Sequence, residues 1–272
     1  MRSRLCLALV VTSLVVPAQA QAAGIGARTP PGGTSGMAWI EAGWYRPLYA
    51  PTTAPRVRVG SFALDRLPVT RREYQRFVGA HPEWRRGAVR AELAGPGYLA
   101  DWPTASSAGD ASDLDRPVAS VSWFAATAFC ASHGKRLPGL HEWEYAASAS
   151  ETDRHAASDP AFRRRLLALY GARQPGRPAK VGSTFRNAFG VSDLHGLVWE
   201  WTHDFDLTAR ADATRADGKA TPEHHLYCAS SAIGVTDPAN YPAFARFAVR
   251  AGLNTRSTVS GVGFRCAGDR AS

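Results

Sequence analysis

Apolar and polar residues alternate in two early stretches, Met37 to Tyr45 and Val57 to Leu64, which predicts strands in both. The second stretch runs into L-D-R-L-P, a turn, and then into T-R-R-E-Y-Q-R-F-V. There Tyr74, Phe77 and Val78 recur at helical spacing, and Thr70 with Glu73 three residues on forms a capping box, so a short helix is predicted. Ser122 can cap a second helix over S-W-F-A-A-T-A-F-C-A-S-H, with Gly134 placed to end it. In G-K-R-L-P-G-L-H-E-W-E-Y-A-A-S-A, Trp143, Ala146 and Ala147 share a third helical face. Past about residue 150 the periodicity fades. Ala157 to Tyr170 reads as a basic amphipathic helix, and the remainder as short strands and long loops. Ordering each loop residue costs about 1–2 kcal/mol of backbone entropy, so a bound cation or a disulfide is expected to hold these loops in shape.

The pattern at the N-terminus is of another kind. Arg2 and Arg4 precede the apolar run Leu5 to Val16, and Ala18-Gln19-Ala20 offers a small-x-small cleavage site. Residues 1–23 are therefore expected to be a secretory signal peptide, and the chain to be periplasmic or secreted. The run is shorter than the roughly 20 apolar residues of a spanning helix, and no later segment is long and apolar enough, so no membrane span is expected. Cys6 precedes the apolar run rather than following it, which argues against a lipoprotein. Pro/Gly-rich residues 24–36 read as a flexible leader, and residues 37–270 as one domain without internal repeats. A hydrophobic content of 45% with eight tryptophans is ample for its core.

Loss of Arg2 and Arg4 with the signal lowers the formal charge from +9 to +7. The remaining basic residues are scattered, apart from Arg163-Arg164-Arg165. That distribution favours solubility and the steering of acidic partners over nucleic-acid binding, and a monomer is expected. Three cysteines remain after Cys6 leaves: Cys130, Cys228 and Cys266. In an exported compartment an odd count implies one bridge and one spare thiol, and spacing does not say which pair forms.

Candidate chemistry concentrates in G-L-V-W-E-W-T-H-D-F, Gly196 to Phe205, directly behind V-S-D-L-H. Two tryptophans flank Glu200, with Asp193 seven residues upstream and Asp204 four residues downstream. On the residues alone this is either a metal loop braced by aromatics or a well-packed turn and strand.

Four blocks resemble the formylglycine-generating enzyme (sulfatase-modifying factor) family, in that family's order. They are L-D-R-L-P-V-T-R-R-E-Y-Q-R-F-V; R-P-V-A-S-V-S-W-F-A-A-T-A-F-C-A-S-H-G-K-R-L-P-G-L-H-E-W-E-Y-A-A; F-G-V-S-D-L-H-G-L-V-W-E-W-T-H-D-F; and V-G-F-R-C-A-G-D. The resemblance implies a single α+β domain related to the C-type lectin fold, with much irregular structure. It implies a Cys130–Cys266 disulfide. It also implies a structural calcium ion held by the Asp193 and Glu200 carboxylates and the Gly196 and Val198 carbonyls, a hard-oxygen set that suits calcium. Trp199 and Trp201 would pack the core on one side and line a surface groove on the other.

The resemblance carries chemistry unevenly. Family members oxidise a sulfatase cysteine with a copper-binding cysteine pair, and relatives use a non-haem iron on an added histidine domain or oxidise a peptide siderophore. Here the corresponding segment reads F-A-R-F-A-V-R-A-G-L-N-T-R, with Arg246 and Ala251 about where the pair would be. Copper(I) prefers thiolates and arginine offers none, so no copper site is expected and true formylglycine generation is not; the histidines show no ligand-like spacing and no added histidine domain is recognised, so no iron site is expected either. The segment C-A-S-S-A-I-G-V-T-D-P-A-N-Y-P-A-F-A-R-F-A-V-R also resembles a bacterial subgroup associated with periplasmic nitrite-reductase systems. Two functions follow. One is a diverged oxidoreductase-type or maturation factor acting on a peptide, siderophore or partner protein. The other is a non-catalytic lectin-like binding module. Groove candidates are Trp199, Trp201, Cys228 (beside His224 and His225), Arg246, Arg250 and Arg256. Convergent titratable groups there would favour an enzyme, and a bare basic groove a binder of acidic ligands.

Overall fold

Each alternating stretch is interrupted, and the interruptions face one another. In the computed structural model, which describes residues 36–47, 56–173, 177–205 and 240–269, four short strands arise instead of two. Strand β1 (Met37–Ile40) pairs antiparallel with β4 (Phe62–Asp65), and β2 (Gly43–Tyr45) with β3 (Val57–Val59). The last strand, β7 (Ala267–Gly268), adds to the free edge of β4, giving the order β1-β4-β7. Strand β4 is paired on both edges, and Phe62, Ala63 and Leu64 are all buried, so packing covers both of its faces. Its alternation is lost for that reason.

Helix α1 (Arg71–Ala80) starts where the capping box sets it. Thr70 Oγ1 accepts from the Glu73 backbone N–H, and the Glu73 carboxylate accepts from the Thr70 N–H at 2.8 Å. Tyr74, Phe77 and Val78 are its buried face. Helix α2 (Trp123–Ser132) is capped by Ser122 and stops before Gly134, whose φ of +66° only glycine adopts readily. Helix α3 is Leu140–Ala147. The basic amphipathic stretch begins with a single 3₁₀ turn, Ala156–Ser158, before α4 (Pro160–Gly171), because Asp159 and Pro160 make a cap and a first helical position. Helix α5 (Tyr241–Ala251) follows, capped by Asn240. Among the described residues no helix is long and apolar enough to cross a membrane.

Two strands of two residues each, β5 (Trp199–Glu200) and β6 (Val262–Gly263), run parallel, pairing Trp199 with Val262. A side chain at Gly263 would begin 2.3 Å from the Val118 carbonyl oxygen, so the glycine that opens G-F-R-C is a packing requirement. Cys130 of α2 is bonded to Cys266, 136 residues later, inside the core cluster that also holds Tyr74, Phe129, Trp201 and Phe264. A covalent loop of that length contributes about 2–4 kcal/mol, largely by restricting the unfolded chain. The described residues thus form an α+β fold with little regular strand and much loop. Residues 1–35 and 206–239, which carry the signal segment, most of the leader and Cys228 with His224 and His225, lie outside the described residues.

Candidate functional site

Residues 193–201 are held by protein groups on every side. Asp193 takes a left-handed backbone (φ +59°), which Asp tolerates better than most residues, and is fully buried. Its Oδ1 accepts from the Thr184 N–H at 2.9 Å and the Thr184 hydroxyl at 2.8 Å, and its Oδ2 from the Gly182 N–H. Gly196 also has positive φ, +98°. Glu200 turns elsewhere: Trp143 Nε1 donates to its Oε2 at 2.6 Å, while Arg265 donates to both its oxygens at 2.8 and 2.9 Å. Arg265 is fully buried, and its other N–H groups reach the carbonyls of Asp65 and Ser192, each at 3.0 Å. This one guanidinium ties β4, the 192 turn and β5 together.

Of the four groups that the resemblance assigns to calcium, the two carboxylates each have protein partners of their own. Asp193 serves segment 182–184, and Glu200 serves Arg265. A bidentate arginine already supplies the positive charge that a cation would bring to Glu200.

Trp201 is buried, and its Nε1 donates to the Val121 carbonyl at 2.9 Å. Trp199 is half-buried, with Tyr170 at 5.0 Å between ring centroids and the Arg173 guanidinium 4.3 Å above its ring. Trp201 thus lies inside the core and Trp199 packs against it from the half-buried side.

A second buried network joins the first through Trp143. Glu144 binds both α5 arginines: Arg246 donates to it at 2.6 and 3.1 Å, and Arg250 at 2.8 Å. Arg250 and Arg246 also lie over the Trp143 ring, at 4.6 and 5.6 Å. Arg246 Nη1 donates to the Tyr170 hydroxyl at 3.0 Å, which in turn meets His195 Nδ1 at 2.8 Å. His195 Nε2 faces the Ala147 carbonyl at 3.0 Å. The arrangement is consistent with a proton on Nε2 and a Tyr170 hydroxyl donating to Nδ1. Burial opposes protonation of His195 and the Arg246 charge opposes it further, lowering its pKa to about 3. Burial alone would raise the Glu144 pKa, but Arg246 and Arg250 outweigh it and hold the carboxyl at about 2.

The basic groove expected from Arg246, Arg250 and Arg256 is not formed by these three. Arg246 and Arg250 are four residues apart on the buried face of α5, with 6% and 4% exposure, whereas Arg256 lies beyond the helix end and is exposed. The cavity beside Glu144 and Arg246 measures about 30 Å³, room for water rather than for a substrate. Both cysteines among the described residues, Cys130 and Cys266, are joined in the disulfide. Sequence reasoning missed Glu144, Tyr170, His195 and Arg265. The available signal was charge within an apolar run: Arg265 between Phe264 and Cys266, and Glu144 between Trp143 and Tyr145.

Fold and site together define a disulfide-closed α+β domain organised around a Trp-Glu-Trp segment whose buried Glu200 is neutralised by the arginine of Gly-Phe-Arg-Cys. The chain belongs to the sulfatase-modifying factor enzyme 1-like family, which it matches across residues 25–270. It is 29% identical over 250 residues to the mouse (Mus musculus) inactive C-alpha-formylglycine-generating enzyme 2, covering 79% of this chain and 77% of that one. It is 33% identical over 170 residues to hercynine oxygenase of Mycolicibacterium smegmatis, covering 54% of this chain and 38% of that one. Among solved structures, PvdO from Pseudomonas aeruginosa aligns with 86% of this chain and 94% of its own, at 21% identity and a TM-score of 0.44.

Proposed function

We propose that this chain is an exported member of its family that does not generate formylglycine and acts as a binding or accessory module for a peptide or protein partner. The observation that carries this reading is Arg246. It lies about where the resemblance would put a copper thiolate, buried and bound at 2.6 Å to Glu144. A guanidinium offers copper(I) no lone pair, and its charge repels the ion. The titratable groups around it are committed to one another: Glu144 to two arginines, Tyr170 to Arg246 and His195, and His195 to a backbone carbonyl. The similarity to a mouse relative named as inactive points the same way. We further propose that the 193–200 loop is held by its own hydrogen bonds and by Arg265 rather than by calcium.

The second reading, a diverged oxidoreductase-type maturation factor for a peptide or siderophore, is favoured by the similarity to hercynine oxygenase. Its residues would have to come in part from segment 206–239, where Cys228, His224 and His225 stand. The two readings share one consequence. A peptide carrying the sulfatase cysteine motif, incubated with copper-loaded protein, is expected to show no conversion by mass spectrometry. Turnover above a no-enzyme control would overturn both.

A further inference from the structure

Outside the closed network, arginines gather a second time. The end of α4 and segment 177–179 meet the Gly196–Leu197 backbone around an open cleft of about 440 Å³. Arg116, Arg173 and Arg177 line it, and Pro178, Ala179 and Leu197 give it an apolar wall. Arg173 is fixed in place: its Nε donates to the Leu197 carbonyl at 3.4 Å, its Nη2 to the Gly261 carbonyl at 3.1 Å, and its plane lies over Trp199. Among the described residues it meets no carboxylate, and burial lowers its pKa. Arg116 and Arg177 share a single carboxylate oxygen, Asp113 Oδ1, at 2.9 and 3.5 Å. Three cations thus face one anion, and the Arg177 side chain is 69% exposed.

We propose that this cleft recognises a carboxylate side chain on an acidic peptide segment of the partner. The inference rests on the binding role argued above and names its site. Guanidinium geometry matches a carboxylate bidentately, and Arg173 is already immobilised, so little side-chain entropy is lost on binding. The apolar wall suits the methylene stem of Asp or Glu or an adjacent aliphatic residue. The cleft volume falls in the range of about 300–1,000 Å³ typical of ligand sites. Inorganic phosphate carries the charge without the apolar part.

Fluorescence anisotropy of the full chain with a labelled peptide of alternating Asp and Leu tests this. The peptide is expected to bind, and its Asn-for-Asp counterpart not to. Arg177→Glu is expected to raise Kd by about tenfold or more, Asp113→Asn to lower it severalfold, and added salt to weaken binding. Arg177 is exposed, so its replacement does not threaten the fold; Asp113 is 24% exposed and pairs with Arg116, so the melting temperature of Asp113→Asn is measured first and is expected to match the wild type. Binding indifferent to Arg177→Glu would overturn the cleft while leaving the binding role standing. Displacement by millimolar phosphate as effective as by unlabelled peptide would overturn the carboxylate assignment, and no binding by the wild type would overturn the site. Turnover in the formylglycine assay would instead strike the parent reading alone.

Discussion

Arg265→Met is expected to cost about 3–5 kcal/mol of folding stability, because it leaves the Glu200 carboxylate buried and unpaired. The arginine and the glutamate side chains it neutralises are both wholly inaccessible, and no water can take over the lost charge. Two backbone carbonyls, Asp65 and Ser192, lose donors in the same step. For a domain of this size the midpoint of thermal unfolding should fall by about 6–20 °C. The double variant Arg265→Met/Glu200→Gln should recover part of the loss, since it removes the stranded charge and keeps an acceptor for Trp143. An unchanged melting temperature for the single variant would show that the loop draws its stability from another source.

Glu144→Gln should cost a similar amount, about 3–5 kcal/mol, by leaving Arg246 and Arg250 without their shared carboxylate. This pair also sets a pH dependence. The folded-state pKa of Glu144 is held at about 2 against an ordinary value of 4.5, so its stabilisation is complete above pH 4.5 and is lost as pH falls towards 2. The shift corresponds to a contribution on the order of 3 kcal/mol. Thermal scans of the wild type should therefore decline between pH 4.5 and 2, and Glu144→Gln should decline less steeply there. A variant whose pH profile parallels the wild type over that window would contradict the pairing.

The parts of this fold that follow local rules were legible in the sequence. Thr70 and Glu73 announce α1, Ser122 and Gly134 bound α2, and the four blocks place the Cys130–Cys266 bridge. What was not legible depends on long-range pairing. The strand Phe62–Asp65 is covered by β1 on one edge and β7 on the other, and β7 comes from the end of the chain. Likewise, Arg246 and Arg250 read as candidates for a surface groove, whereas α5 turns them towards Glu144, about a hundred residues earlier. The resemblance groups Asp193 with Glu200, and the hydrogen bonds each makes, Asp193 to Thr184 and Glu200 to Arg265, could not be read from it. A carboxylate's partner is decided by the nearest buried donor, which sequence spacing does not encode.

We propose that two guanidinium groups, those of Arg246 and Arg265, stand where the family resemblance would put metals. Elemental analysis of the folded protein, dialysed without chelator, tests this. Well under one equivalent each of copper and calcium per chain is expected, with a melting curve that EDTA does not move. One equivalent of either metal, with a melting temperature that falls on chelation, would contradict it.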